Sequence, residues 1–152
     1  MNLKSGLIGL LVIAVGILIS ACSNRQIPVQ SIYSSSHCPI NRAMLKTVNS
    51  QLELSQLFDF APANFGPKPF DNIEVDFDQQ ILIVFALGQK PTAGYSLQLI
   101  RKQATVKGQK LYLPIRIMEP DQNLIQAQVV TSPCQVYSLP RADYSEIFLE
   151  QN

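Results

Sequence analysis

Three cysteines, one histidine and a short run of carboxylates are the residues of this chain with the most chemistry to offer. His37 and Cys38 are adjacent. A cysteine nucleophile needs its histidine within hydrogen-bond reach, yet neighbours in an extended segment point to opposite sides. His37 therefore reads as a solvated residue and not as a general base. Cys38 and Cys134 lie 96 positions apart. In an oxidising compartment such thiols commonly pair, and closing a loop of that length is worth up to about 4.7 kcal/mol in the chain-entropy account. Two separate buried thiols remain the alternative, since spacing alone does not establish bonding geometry. Two cysteines and one histidine also lack the paired spacing of a zinc site, so no metal is expected. Asp71, Glu74, Asp76 and Asp78 could suggest calcium, which takes several oxygens from one tight loop. They alternate with Ile73, Val75 and Phe77, so the simpler expectation is a short strand with a wet face. No Gly-x-Ser-x-Gly elbow, phosphate loop or dinucleotide fingerprint is present. The expectation is a protein that is not an enzyme, with no catalytic residues and no cofactor.

The remaining cysteine, Cys22, sits in a different setting. Lys4 is followed by an uncharged apolar run from Gly6 to Ile19, then Ser20-Ala21-Cys22. A basic start, a short apolar core and a small-residue cleavage site make a secretory signal. The apolar run is short for a spanning helix, which needs roughly 20 residues, and Gly6, Gly9 and Gly16 weaken it as a core helix. Ser20-Ala21-Cys22 resembles the lipobox of bacterial lipoproteins, in which the cysteine becomes the first mature residue and carries lipid, palmitate included. The resemblance implies a signal peptide over 1–21, lipidation at Cys22 and a cell-envelope address. It also implies sorting to the outer membrane, facing the periplasm or the outside, because Ser23 is not the Asp that often retains such proteins at the inner membrane. The membrane is then a partner through the lipid.

Bulk charge excludes one class of partner. Twelve basic side chains oppose eleven acidic ones, and loss of Lys4 balances them. A nucleic-acid binder shows a basic stripe, so none is expected here.

The segment from Ser23 to Ser36 is polar and Ser-rich, and residues 22–38 are expected to be a flexible tether. A single domain over 39–152 follows. Leu45 to Val48 reads as a strand. Asn49 or Ser50 can cap a helix through Phe58, with an apolar stripe of Leu52, Leu54, Leu57 and Phe58. Phe60 to Asn72 is Pro-rich and reads as a loop. Ile81 to Leu87 is a continuous apolar run suited to a strand covered on both faces. Alternation predicts strands over Gly94–Ile100, Leu111–Ile117, Ile125–Val129 and Gln135–Leu139, with a last strand at Ile147–Leu149. Pro114 argues for an edge or a bulge within its run. The expected fold class is α+β, mostly antiparallel β, either sandwich-like or a single curved sheet, with one short N-terminal helix.

The stretch from Gly88 to Ser96 is the most distinctive local pattern. Pro91 restricts φ, Gly94 permits positive φ and Thr92 can bond the local backbone. It reads either as a structural connection with Tyr95 entering the core or as a shaped binding loop carrying Lys90, Pro91, Thr92, Gly94 and Tyr95. Together with Asp76-Phe77-Asp78, the strand Ile81–Leu87, Gly88, Glu119-Pro120 and Thr131-Ser132-Pro133, the stretch Pro91–Ser96 resembles the C-terminal domain of PrcB-type protease complex subunits. That family usually shows Thr-Gly-Gly-Tyr where this chain has Thr92-Ala93-Gly94-Tyr95, so the first of the two glycines need not take positive φ here. The resemblance spans Leu45 to Leu139. It implies a lipoprotein accessory or binding subunit of a protease or other envelope complex, and it brings no catalytic residues. Pro91 to Tyr95 is also similar to a loop of chagasin-type cysteine protease inhibitors, which implies an alternative inhibitory role. Lys90 stands where that family has Asn, and no Arg-Pro-Trp loop follows in a chain without Trp. A structural envelope lipoprotein without a specific partner is the third expectation.

Overall fold

A computed structural model describes residues 24–58, 70 and 73–150. The signal segment, Cys22, Ser23, Asp71 and, apart from Phe70, the expected Phe60–Asn72 loop lie outside the described residues. The strand β1 (Asn24–Pro28) is followed by β2 (Gln30–Ser35) and β3 (Ala43–Val48), and then by the single described helix α1 (Gln51–Phe58). After it come β4 (Gln80–Leu87), β5 (Ser96–Leu99), β6 (Gln103–Lys107), β7 (Lys110–Leu113), β8 (Ile115–Met118), β9 (Cys134–Pro140) and β10 (Glu146–Leu149).

Two four-stranded sheets form, in the orders β1-β6-β7-β10 and β2-β9-β4-β3, with β5-β8 as a separate two-stranded sheet. Pairing is antiparallel throughout except between β7 and β10, which run parallel. The expected mostly antiparallel β class is found. The arrangement is only partly a sandwich, because β5-β8 stands apart from the two larger sheets.

The central strand β4 shows how sequence becomes layering. A strand turns successive side chains to opposite faces. Ile81, Ile83, Phe85 and Leu87 enter one core with Ile27, Val106, Leu111, Leu113 and Tyr137. Leu82, Val84 and Ala86 enter a second core with Leu54, Phe58, Phe70 and Val136. Seven consecutive apolar residues are needed because neither face is wet, as expected from the unbroken run. The helix covers the second face. Ser50 caps it, its hydroxyl accepting from the Glu53 N–H at 3.2 Å, while the Glu53 carboxylate accepts from the Asn49 N–H at 2.9 Å.

Several expectations are corrected. The helix is not N-terminal: three strands precede it. Of its expected stripe, Leu54 and Phe58 are buried but Leu52 is exposed. The tether reading fails for 24–35, which forms two strands joined through Val29: β1 pairs with β6 and β2 with β9, and Ile27 and Val29 are buried. Serine composition masked a sparse apolar alternation whose backbone is satisfied by ladders. The run Leu111–Ile117 is two strands, since Pro114 ends β7 and the chain crosses to β8 in another sheet. Ile125–Val129 is not a strand, and residues 73–76 are irregular and not the expected wet-faced strand. There Asp76 closes a turn, accepting from the Asp78 N–H through its side chain at 3.0 Å and from the Gln80 N–H through its carbonyl at 2.8 Å. The strand β6 was not expected at all.

Candidate loop site

The connection from Gly88 to Tyr95 leaves the buried strand β4 and runs into β5. Gly88 has φ +69°, and a Cβ there would lie 2.7 Å from the Ala43 backbone nitrogen. Only glycine fits that exit. Lys90 then pairs with Thr131: the Lys90 N–H donates to the Thr131 carbonyl at 2.8 Å, and the Thr131 N–H returns the bond at 3.0 Å. The Thr131 hydroxyl donates to the Thr92 carbonyl at 3.1 Å, and the Ala93 N–H donates to the Ala127 carbonyl at 3.1 Å. Gly94 has φ +96°, and a Cβ there would lie 2.7 Å from Pro120 Cβ. Ala93 avoids positive φ, as expected. Thus the loop is bound along its length to a second segment, Glu119–Pro133.

Tyr95 is half-buried against the first core, and the Lys90 ammonium lies 5.2 Å from its ring centroid. That contact positions Lys90 across the loop and contributes about 0.5–1 kcal/mol at a partly exposed site. The structural expectation for the stretch, with Tyr95 on the core, is found. Tyr95 anchors it, while Pro91 remains exposed.

The second segment supplies what sequence alternation concealed. Leu124 (63 %), Ile125 (103 %), Val129 (45 %) and Val130 (59 %) are exposed. Read as a strand, alternate members of this group would have been covered. Without a ladder partner along Ile125–Val130 they all remain at the surface. Gln126 holds the segment's shape, donating to the Asp121 carbonyl at 3.1 Å. The signal available in the sequence was the polar turn Glu119–Asn123 followed by apolar residues and ended by Pro133.

The base of this segment is clamped from the other side. The Ser132 N–H donates to the Ser36 carbonyl at 2.8 Å, and the Cys38 N–H donates to the Ser132 carbonyl at 2.9 Å. Cys38 and Cys134 are joined by a disulfide with Cα atoms 6.0 Å apart. That bond is the expected pairing rather than the separate-thiol alternative, and both residues are buried. A sulfur in a disulfide is no thiolate nucleophile. His37 is exposed, and its Nδ1 meets the Ser36 hydroxyl at 2.9 Å.

An open groove of about 810 Å³ lies elsewhere, at the β1–β2 junction beside Gln80, Lys102 and Ser138. Of its lining hydroxyls, that of Ser138 donates to Gln80 Oε1 at 2.9 Å. Tyr137 is fully buried, its hydroxyl donating to Gln135 Oε1, and burial pushes its phenol well above the ordinary value.

The site is thus a pair of cross-bonded loops on a mostly β scaffold, one of them carrying exposed apolar side chains. Residues 81–140 match the protein-family model described as PrcB C-terminal, which places this stretch with the PrcB-type C-terminal domains. The match contains both loops. No curated protein matches the chain, and no solved structure matches it.

Proposed function

We propose that this protein is a non-catalytic accessory subunit, held in the cell envelope by lipid on Cys22, that captures a protease or another envelope protein. Lys90, Pro91, Thr92, Gly94 and Tyr95 form or hold the docking surface together with Leu124, Ile125, Val129 and Val130. The observation that carries this reading is the exposure of those four aliphatic side chains on a segment fixed by the Lys90–Thr131 and Ala93–Ala127 bonds. Clustered exposed apolar groups mark interaction sites. Because the loops are already bonded to each other, docking costs little ordering entropy. The family match supports an association with protease complexes, since it covers both loops. Lipidation is supported by Lys4, the apolar run and Ser20-Ala21-Cys22, and an outer-membrane location by Ser23 in place of Asp. Cys22→Ser is expected to abolish lipid labelling and leave a full-length precursor.

Cross-linking in intact envelopes followed by affinity capture tests the docking reading. Wild-type protein is expected to bring down a protease or a defined envelope protein. The double variant Leu124→Asp/Ile125→Asp should lose it, with unchanged stability because both side chains are exposed. Capture that survives both this variant and replacement of Lys90, Thr92 and Tyr95 would make the loops merely structural. Inhibition of a papain-like protease by micromolar domain would favour the chagasin-like alternative.

A further inference from the structure

We infer that the end of the β1-β6-β7-β10 sheet carrying Asn24, Lys107 and Lys110 is seated on the headgroup layer of the anchoring bilayer, so that the docking loops point away from it. The inference rests on lipidation at Cys22 as proposed above. Only Ser23 separates Cys22 from Asn24, the first residue of β1. Whatever conformation those residues take, two residues of chain reach at most about 7 Å. The anchored sulfur therefore cannot leave the neighbourhood of Asn24, and a long tether between lipid and sheet does not exist.

The register says what lies beside that point. Asn24 pairs with Lys107, Lys107 with Lys110, and Lys110 with Glu146, so four side chains form one row across the end of the sheet. The next row with the same facing is Gln26, Thr105, Tyr112 and Phe148. There the Tyr112 and Phe148 rings stack 5.2 Å apart, with Lys107 and Lys110 ammonium groups 5.1 and 5.6 Å from the two centroids. Phe148 is 37 % exposed. Lys110 is paired with Glu146 at 3.3 Å, leaving Lys107 as the cation of this row without an acidic partner among the described ion pairs. Lys107 stands at the end nearest Cys22, where an ammonium group suits anionic headgroups, with the aromatic pair one row farther from the bilayer.

The chain path gives the opposite end. One residue, Val29, separates β1 from β2, too few for a reversal. The chain therefore runs onward from Asn24 to Ser35, a contour of up to about 36 Å. Ser36 and His37 meet Ser132 there, at the base of the docking loops.

The test uses acylated full-length protein in phosphatidylethanolamine–phosphatidylglycerol vesicles containing a nickel-chelating lipid. Nitroxides are placed singly at Lys107→Cys, Lys110→Cys or Ile125→Cys. Several-fold stronger relaxation by headgroup nickel is expected at Lys107 and Lys110 than at Ile125. A long Gly-Ser insertion between Ser23 and Asn24 should erase the difference, and its survival would overturn the reach argument. Equal relaxation at all three sites in a protein whose mass shows acyl chains overturns this inference alone. A mass without acyl chains overturns the anchoring reading and this inference together.

Discussion

Gly94 couples backbone conformation to the proposed surface. Its φ of +96° is one that L side chains rarely adopt, and the Pro120 Cβ occupies the space a side chain would need. Gly94→Ala is therefore expected to cost about 1–3 kcal/mol and to loosen the two loops from each other. Amide exchange at Ala93, whose N–H donates to Ala127, should speed up while exchange in β4 does not. Unchanged exchange at Ala93 would mean that the loops are held elsewhere. Tyr137 gives a second prediction at this scale. Burial raises its folded-state pKa, so below pH 10 both folded and unfolded forms hold the proton and the group contributes no pH dependence. Above about pH 10 the unfolded state loses the proton first, and stability falls as pH rises, by at most about 1.4 kcal/mol per pH unit. Denaturant midpoints at pH 9 and 11 should diverge for wild type and less so for Tyr137→Phe.

At the scale of elements, the Cys38–Cys134 disulfide and the hydrogen bonds of Ser132 with Ser36 and Cys38 brace the start of β9 against the segment that follows β2. Reduction should lower stability by about 2–4 kcal/mol, in line with closure of a long loop. It should also increase exchange at Ser132 and Cys38 before it does so in β4, and a reduced protein as stable as the oxidised one would show that the ladders alone hold this end. Elements with strong local patterns were legible in the sequence. The seven apolar residues of β4 and the Ser50-capped helix were read from local pattern, because burial on both faces and end capping leave plain marks. The tether was misread because residues 24–35 offer only Ile27, Val29, Ile32 and Tyr33 to the cores among mostly polar neighbours, and the ladders of β1 and β2 are with distant β6 and β9. The strand β6 escaped for the same reason, having only Ala104 and Val106 as buried aliphatic side chains. Alternation also over-predicted: Ile125–Val129 has the period of a strand but no partner, and a period of two cannot reveal a missing neighbour.

At the scale of the molecule, two cores share the β4 strand, and the proposed anchor and docking loops lie toward different ends of the β1–β2 path. The loop site was half legible. Pro91, Gly94 and Tyr95 announced a shaped turn, whereas its apolar partner segment became visible only once Lys90 was seen paired with Thr131. The proposed role makes the loops, and not a reactive side chain, the working part of the protein. The most direct test is capture from intact envelopes by acylated wild-type protein and by the Leu124→Asp/Ile125→Asp variant, matched for stability. The wild type is expected to retain a specific envelope protein that the variant loses. Equal capture by both, or turnover of a substrate by the purified domain alone, would contradict the account.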